Sequence, residues 1–498
     1  ESGRENLKVG ASMPIMVERN KWILYKHTSN YELIKAVALD VKNSCKTDIS
    51  NTERERMQER LAALNMYRTR NPQARPLDSI NHRINTLEFF MFGYEDDSDG
   101  KRFMFSPLGN LFLKHINDED KLVKIFTTML FAIQFQHPAS GTDKEFQLFP
   151  FRLIFKLLQD NRLDGKLYNY EYSLLIAFVD SIDDAKYELL VEEILKLRNK
   201  SDDEIAAMYK SDEHTYVNAV YEWEYYTCRL LSTIGIIDVV KGDSICKLYH
   251  PTKTGSHSNP TGRTARNGYI SLDKKIYDFV MILLSNYSFT QKPLKLDDPE
   301  RMTLDVVKEI YSFYPPELMS EIGESDELSS LLELPKLIEE YSNNPDNDTA
   351  YLFEEVLDQG FSMFYNVQTK RVGGAGHTDI ECLYLTKKKK FAVESKSTAN
   401  KLSGINVGRL REHREEIGGD YTIVITPRYV PAAKRDIKGS DVVIILASTF
   451  AEYLYNHIFH EIREIDYADF DDIIVNHRGE DVSKYISNMT MEKFAANS

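Results

Sequence analysis

The stretch HTDIECLYLTKKKKFAVESKS, residues 377–397, decides how the C-terminal part of this chain folds. Two segments of strand character, TDIECLYLT and KFAVESKS, flank a turn of four lysines. Side chains of a strand point alternately to its two faces, so Glu394 and Lys396 are expected to share one face. Asp379 begins the preceding strand, with enough residues before Glu394 for a hairpin that brings the two carboxylates together.

The segments around this hairpin extend it into a larger sheet. The helix TAYLFEEVLDQG and the strand FSMFYNVQTKRV (residues 361–372) precede it. The helix INVGRLREHREEIG, the strands YTIVITP and VVIIL, and the helix STFAEYLYNHIFHEI follow it. This order predicts an α/β core in which helices flank a mixed sheet.

The residue types at the hairpin predict a metal site. Two carboxylates that converge at the end of a sheet suit Mg²⁺, which takes one or two protein carboxylates together with water and substrate phosphate. Such a metal stabilises charge at phosphorus and activates water, and the Lys396 ammonium adds a positive charge beside it. Asp379 with Glu394-Ser395-Lys396 matches the PD-(D/E)xK nuclease signature. The alternative is a chance match, because an Asp at a strand start is often only a turn residue.

Two further positions are candidates for the same site. The helix before the sheet carries Glu354 and Glu355, and we expect one of them to face the metal and the other to face solvent. His413, on the helix after the motif, is a candidate for a phosphate contact or for proton transfer. The alternative for His413 is a surface histidine in a charged helix.

Composition excludes several classes of protein. The chain has 498 residues, of which 42% are hydrophobic and 28% charged, which is typical of a globular protein with several domains. No apolar run is long enough to span a membrane, and the four cysteines are scattered, so we expect reduced thiols and a cytoplasmic protein. The net charge of −15 opposes phosphate binding on average, so a DNA-binding surface requires local positive charge.

We predict a multidomain α+β and α/β protein with four regions. Residues 1–145 and 146–290 form two mostly helical, winged-helix-like DNA-recognition subdomains. Residues 291–345 form a helical linker, and residues 346–498 form the nuclease domain. Each recognition subdomain contains an apparent hairpin, and the second is predicted in IDVVKGDSICKLYHP, residues 237–251.

Two basic stretches are candidates for DNA contact. MYRTRNPQARPLDSINHRIN and HPTKTGSHSNPTGRTARNGY combine cations with amide side chains, which are the residue types that grip phosphates and read base edges. The alternative for each stretch is a solvent-exposed basic loop. The candidate DNA-binding residues are Arg68, Arg70, Arg75, Arg83, Lys253, Arg263 and Arg266.

Several motifs together resemble a known family. RINTLEFFMFGYEDDSDGKRFMFSPLGNLFL, LFPFRLIFKLLQD, YYTCRLLSTIGIIDVV, LFEEV, HTDIEC, AVESKS and REHREE occur in an order similar to that of the AlwI-like type IIS restriction endonucleases, which include the BstNBI-type nicking enzymes. The resemblance implies two winged-helix-like subdomains, a helical linker and a FokI-like nuclease domain. It implies cleavage a few bases outside a short asymmetric site.

The resemblance also assigns roles to residues. It places metal ligands at Glu354, Asp379 and Glu394 and a catalytic histidine at His413. Lys396 departs from the nicking members, in which this position is not lysine, and this leaves second-strand cleavage open. We expect Mg²⁺ as cofactor, with Mn²⁺ able to substitute.

Duplex DNA is the expected substrate, and the sequence leads to two expected partners and three alternative functions. One active site per chain predicts a monomer that pairs transiently on DNA or uses a second subunit, and a restriction enzyme implies a cognate DNA methyltransferase. The alternatives are a repair or transposition nuclease with the same core, a non-catalytic sequence-specific DNA-binding protein, and a protein-interaction scaffold.

Overall fold

The structure is a computed structural model that describes residues 19–24, 27–66, 77–97, 100–254, 260–323, 326–462 and 464–495. The first region consists of helices around a two-stranded hairpin. Its helices are Tyr31–Leu39 (α1), Asn51–Ala63 (α2), Asp78–Phe89 (α3), Pro107–Lys114 (α4) and Glu119–Ala132 (α5), and its strands are Gly93–Asp96 (β1) and Arg102–Phe105 (β2). Strands β1 and β2 pair antiparallel, which agrees with the hairpin predicted for this region, and Ser106 caps α4 by accepting from the Gly109 backbone N–H.

The second region is also mostly helical, but its strands pair differently from the prediction. Its helices are Pro150–Gln159 (α6), Asn169–Leu174 (α7), Asp184–Arg198 (α8), Asp202–Ser211 (α9), Glu213–Glu222 (α10), Cys228–Ile234 (α11) and Lys274–Asn286 (α12). Its strands are Leu167–Tyr168 (β3), Ile237–Val240 (β4), Ser244–Thr254 (β5), Pro260–Arg266 (β6) and Tyr269–Leu272 (β7).

The predicted hairpin within residues 237–251 is wrong. Strand β4 pairs with β7, and β5 pairs with β6, so β4 and β5 are consecutive without being partners. The basic stretch that follows is therefore largely part of the β5–β6 hairpin and not a free loop. The physical reason is that the β5–β6 hairpin is inserted between β4 and β7. The segments that enter and leave this hairpin contain Gly242 and Gly268, whose lack of a side chain allows the two segments to approach closely.

The region that the sequence predicts as a helical linker, residues 291–345, is helical in most of its described part from Thr303 onward, and it contacts the regions on both sides of it. Its helices are Thr303–Tyr311 (α13), Pro316–Glu321 (α14) and Asp326–Asn343 (α15). On α13, the Tyr311 hydroxyl donates to the Glu88 carbonyl oxygen (2.7 Å) and Lys308 Nζ donates to Ser487 Oγ (2.7 Å). One short helix is thus bonded to the first region and to the C-terminal region.

The C-terminal region contains the predicted mixed sheet. Its strands are Val367–Arg371 (β8), Ile380–Tyr384 (β9), Lys389–Ser395 (β10), Gly419–Thr426 (β11) and Val442–Leu446 (β12). Its helices are Ala350–Ser362 (α16), Val407–Ile417 (α17), Pro431–Asp436 (α18), Ala447–Phe459 (α19), Ala468–Asn476 (α20) and Ser483–Ala495 (α21). The strand order is β12-β11-β10-β9-β8, with antiparallel pairing from β8 to β10 and parallel pairing from β10 to β12.

Strand β8 is shorter than the prediction of residues 361–372. Phe361 and Ser362 complete α16 because the Phe361 ring stacks on Phe450 of α19, with ring centroids 4.7 Å apart. Strand β10 lies in the middle of the sheet, and Phe391 to Glu394 are buried there. A central position fixes the end of β10 more firmly than an edge position would. None of the helices in the described ranges combines the length and apolar character needed to cross a membrane.

Candidate active site

The candidate site lies where β9 begins and β10 ends. The antiparallel register pairs Val393 with Ile380, so the next step along the two strands sets Asp379 opposite Glu394. This is the convergence of carboxylates that the strand period and the hairpin length predict. Asp379 and Glu394 therefore lie next to each other because of backbone pairing and not because of side-chain flexibility.

Hydrogen bonds hold the two carboxylates in different ways. Asp379 Oδ2 accepts from the Ser395 backbone N–H (2.7 Å) and from Ser395 Oγ–H (2.8 Å). Glu394 Oε1 accepts from Lys396 Nζ at 2.9 Å, as expected for two residues on one face of a strand. One oxygen of each carboxylate is thus used to fix its orientation, and Ser395 has a supporting role that the sequence did not reveal.

The site also contains buried polar atoms that have no partner among the described residues. The Glu394 side chain is only 6% exposed, and its Oε2 accepts no hydrogen bond from the described part of the chain. His413 on α17 is buried, and within the same residues its Nδ1 likewise has no partner. Burial raises the pKa of Glu394, the charge of Asp379 raises it further, and Lys396 and His413 lower it. His413 is therefore close enough to act electrostatically on Glu394 and is not a surface histidine.

The first helix of this region brings a third carboxylate to the site. Burial raises the pKa of Glu354, and Asp379 and Glu394 raise it further, whereas Arg371 lowers it. The Arg371 guanidinium lies 3.9 Å from Glu354 Oε2. Between the two candidates on α16, Glu354 is the one that interacts with the other carboxylates, which the sequence alone left open.

These residues fit a hydrated divalent cation. In the described part of the chain, no three His, Cys, Asp or Glu residues converge closely enough to hold a metal ion by themselves. Mg²⁺ needs no such set, because it keeps several waters and takes one or two carboxylates with substrate phosphate. The buried, unpartnered Oε2 of Glu394 beside Asp379 supplies the oxygen that such an ion requires. Lys396 offsets only part of the repulsion between these two carboxylates, and such a pair is typical of a site built for a cation.

The loop that follows β10 is held by the linker. The Thr398 backbone N–H donates to the Ser342 carbonyl oxygen (2.9 Å), and Asn344 Nδ2 donates to Ser397 Oγ (3.1 Å). Asn344 Oδ1 accepts from the Thr349 N–H (2.9 Å), next to the start of α16. Asn344 thus joins the loop after Lys396 to the helix that carries Glu354.

Part of the predicted DNA-binding set can be placed in the structure. Arg68, Arg70 and Arg75 lie outside the described residues, and so does the side chain of Lys253. The Arg83 guanidinium donates to the His27 carbonyl oxygen (3.1 Å) on the first region. On β6, the Arg263 guanidinium lies 3.7 Å from the centroid of the Tyr221 ring.

The remaining candidate, Arg266, ends β6. Burial raises the pKa of Glu224 to about 8, and Arg266 opposes this increase. The placed candidates therefore occupy two separate regions, α3 and β6, and the structure does not bring them into one cluster with the carboxylates at β10.

Comparison with known proteins identifies the family. Residues 17–287 match the family model described as "Type II restriction endonuclease HgaI, N-terminal domain". The "Type II restriction enzyme HgaI" of Avibacterium volantium is 49% identical over 476 residues, which cover 95% of this chain and 97% of that protein.

Solved structures resemble the chain more distantly. The BpuJ1 endonuclease binding domain in complex with modified DNA matches with a TM-score of 0.38 and 15% identity, over 60% of this chain and 97% of that one. The restriction endonuclease FokI matches with a TM-score of 0.27 and 11% identity, over 91% and 98%. The fold described above rests on its own sheet order and not on these likenesses. By the identity and coverage of its HgaI relative, the chain belongs to the HgaI family of type II restriction endonucleases.

Proposed function

We propose that this restriction endonuclease is of type IIS: it binds a short asymmetric duplex sequence and hydrolyses phosphodiester bonds a few bases outside it. The observation that carries this proposal is the pairing of Asp379 with Glu394, beside Lys396, in a sheet that belongs to a different region from the basic elements. Separate regions for binding and cleavage are what cutting outside the recognised sequence requires. The resemblance to AlwI-like enzymes supports the same conclusion.

The cofactor proposed is Mg²⁺, with Mn²⁺ able to substitute. Asp379 and Glu394 would hold the ion, and Glu354 would complete its surroundings through water. When bound, the metal supplies positive charge at the phosphate and an activated water. Asp379 and Glu354 lie near Glu394, whose buried Oε2 is unpartnered among the described residues. This arrangement is the physical basis of the PD-(D/E)xK assignment that we propose for residues 346–498.

The residues of the chain supply positioning and proton handling. Lys396 Nζ, held 2.9 Å from Glu394 Oε1, keeps two further N–H donors for a phosphate oxygen or for the attacking water. To His413, whose buried Nδ1 has no partner among the described residues, we assign proton exchange with the attacking water. Ser395 keeps Asp379 in one orientation through two hydrogen bonds.

We assign DNA recognition to residues 1–290 and the connection to residues 291–345. Arg83, Arg263 and Arg266 are the proposed contacts among the described side chains, together with the four cations placed outside them. Arg supplies both phosphate grip and bidentate contact with guanine, so these positions suit winged-helix-like subdomains that read a base sequence.

One active site per chain determines the order of cutting. The two scissile phosphates of a duplex run in opposite directions, so one site cuts one strand first. We propose that the free protein is a monomer and that a second copy, or another subunit, completes the double-strand cut on DNA. A stable dimer found by sedimentation without DNA would contradict this. A cognate DNA methyltransferase is the expected partner activity.

The test is cleavage of a supercoiled plasmid of known sequence, followed by run-off sequencing of both strands. We expect Mg²⁺-dependent cuts at a fixed distance from one short sequence, absent in Asp379→Ala. Glu354→Ala should reduce the rate strongly, and Glu355→Ala, on the same helix, is the matched control that should not. Binding without any cutting across divalent metals would instead indicate a non-catalytic DNA-binding protein.

A further inference from the structure

Arg371 ends the edge strand β8 and lies beside the candidate site. It pairs with Ile380 across the sheet, and the next backbone bond joins the Val372 N–H to the Asp379 carbonyl oxygen (3.0 Å). Its side chain is on the same face as α16, where the guanidinium lies 3.9 Å from Glu354. Arg371 is therefore a neighbour of two of the three carboxylates, although no nuclease motif includes it.

The hydrogen-bonding capacity of Arg371 is largely unused. A guanidinium has five N–H donors in a planar fork. Within the described residues, its NH1 donates only a long bond of 3.5 Å to the Tyr351 hydroxyl, and its buried Nε has no partner. Leaving the buried Nε–H of a charged group unpaired is unfavourable unless a ligand completes it. The fork matches an anion with two acceptor oxygens, such as a phosphodiester.

The surroundings hold the guanidinium in place and leave one side open. The Arg371 guanidinium stacks on the Tyr351 ring with its carbon 4.4 Å from the ring centroid, and Tyr351 is 65% exposed. The following turn contains Gly373 and Gly376, which have φ values of +60° and +94°. A Cβ added at either glycine would meet nothing within 4 Å. An extended DNA backbone can thus pass this turn and Arg371 and reach the carboxylates.

We propose that Arg371, supported by Tyr351, binds a non-bridging oxygen of a phosphate within one nucleotide of the cut, on the strand that is cleaved. The inference rests on the proposed nuclease site and adds a substrate-binding residue to it. Arg371 holds the backbone at a fixed distance from Asp379 and Glu394, so that the scissile phosphate enters between the carboxylates. Its contact with Glu354 keeps the guanidinium oriented before DNA arrives.

The test combines a variant of the protein with a neutralised phosphate in the DNA. Single-turnover cleavage is measured on duplexes that carry one methylphosphonate at each position around the cut, with wild-type enzyme and with Arg371→Ala. Loss of a charge-assisted contact should slow wild-type cleavage by about 10- to 100-fold at one position. Arg371→Ala should lose a similar factor on unmodified DNA and lose nothing more at that same position.

Three controls separate this role from a structural one. Lys370→Ala is the matched variant, because it removes a neighbouring exposed cation that points to the opposite face of β8. It should retain wild-type rates and the full methylphosphonate effect. Arg371→Lys keeps the charge without the fork and should be intermediate. Thermal unfolding should show that all these variants remain folded.

Two results would overturn the proposal. The first result is that the rate losses caused by Arg371→Ala and by the methylphosphonate multiply at every position of the DNA. This would show that Arg371 does not contact a phosphate. The second result is that Arg371→Ala raises the Mg²⁺ concentration needed for half-maximal rate, and that saturating Mg²⁺ restores the full cleavage rate. This would show that Arg371 acts only through Glu354. Failure of the wild-type enzyme to cut at all would count against the proposed function instead, so the two failures are distinguishable.

Discussion

Replacement of Glu394 by Gln should stabilise the metal-free protein while it abolishes cleavage. Glu394 is 6% exposed, its Oε2 has no partner in the part of the chain that the structure describes, and Asp379 faces it across the hairpin. An unpartnered buried acceptor costs about 1–3 kcal/mol, and charge increases that cost. Gln has the same shape, removes the negative charge and can donate its N–H to Asp379. These changes favour the folded state when no cation is present.

The opposing contribution comes from Lys396. Its bond to Glu394 Oε1 becomes a charged donor on a neutral acceptor, which forfeits about 1 kcal/mol. The balance predicts that Glu394→Gln raises the stability of the metal-free C-terminal region by about 1 kcal/mol. For a domain of this size, that corresponds to an increase in unfolding temperature of about 2–4 °C.

Calorimetry in EDTA and in Mg²⁺ tests this balance. A cation that binds only the folded site stabilises the wild-type protein in proportion to its occupancy, and the variant should lose this gain. Glu381→Gln is the matched control on β9, because Glu381 is paired with Lys390 and the same change there should be neutral or slightly destabilising. The reasoning would be refuted if the Glu394→Gln protein had a lower unfolding temperature than wild type in EDTA. It would also be refuted if Mg²⁺ raised the unfolding temperature of the variant as much as that of wild type.

Three further outcomes follow from the contacts of the linker. Asn344→Ala removes bonds to two residues and should destabilise the protein by about 2 kcal/mol and lower the single-turnover cleavage rate, with melting and rate measured on the same sample. Burial raises the pKa of Glu339 to about 8 from 4.5, so the folded state holds this proton longer than the unfolded chain does. Stability should therefore decrease as pH rises from about 4.5 to about 8, by at most about 1.4 kcal/mol per pH unit for this group, and Glu339→Gln should flatten that slope in denaturant titrations. Asp298→Asn with Glu300→Gln removes the carboxylate partners of Lys401 and should cost less than about 1 kcal/mol, yet broaden the distribution of cut positions in run-off sequencing.

Local geometry explains what the sequence could predict. The pairing of Asp379 with Glu394 depends on a short hairpin, and the shared face of Glu394 and Lys396 depends only on the strand period. Both are fixed within about 20 residues of chain. The register of β9 and β10 ends with Val393 opposite Ile380, one step before the two carboxylates, and Lys396 Nζ donates to Glu394 Oε1. The mixed sheet with flanking helices is confirmed by the strand order.

Non-local packing explains what it could not predict. The partner of β4 is β7, because a long insertion separates them, and alternation of residues does not reveal such a pairing. The choice of Glu354 over Glu355 depends on the rotation of α16 against the sheet. Arg371 becomes a neighbour of the site only because β8 pairs with β9 on the edge. A sequence signal for it did exist, since Arg371 lies two residues before the glycine-rich turn that begins at Gly373.

The boundary drawn at residue 345 marks a change in composition but not a break in the structure. Ser342 and Asn344, on the linker side, hold Thr398 and Ser397 just beyond the catalytic strand, and Lys401 in the same loop is bonded to Asp298 of the linker. A movement of the linker caused by DNA binding would therefore be transmitted directly to the residues that follow Lys396. The contacts that fix the loop after β10 also fix its position relative to the region that we propose for DNA recognition. We therefore expect the cleavage offset and catalytic competence to depend on the same structural element.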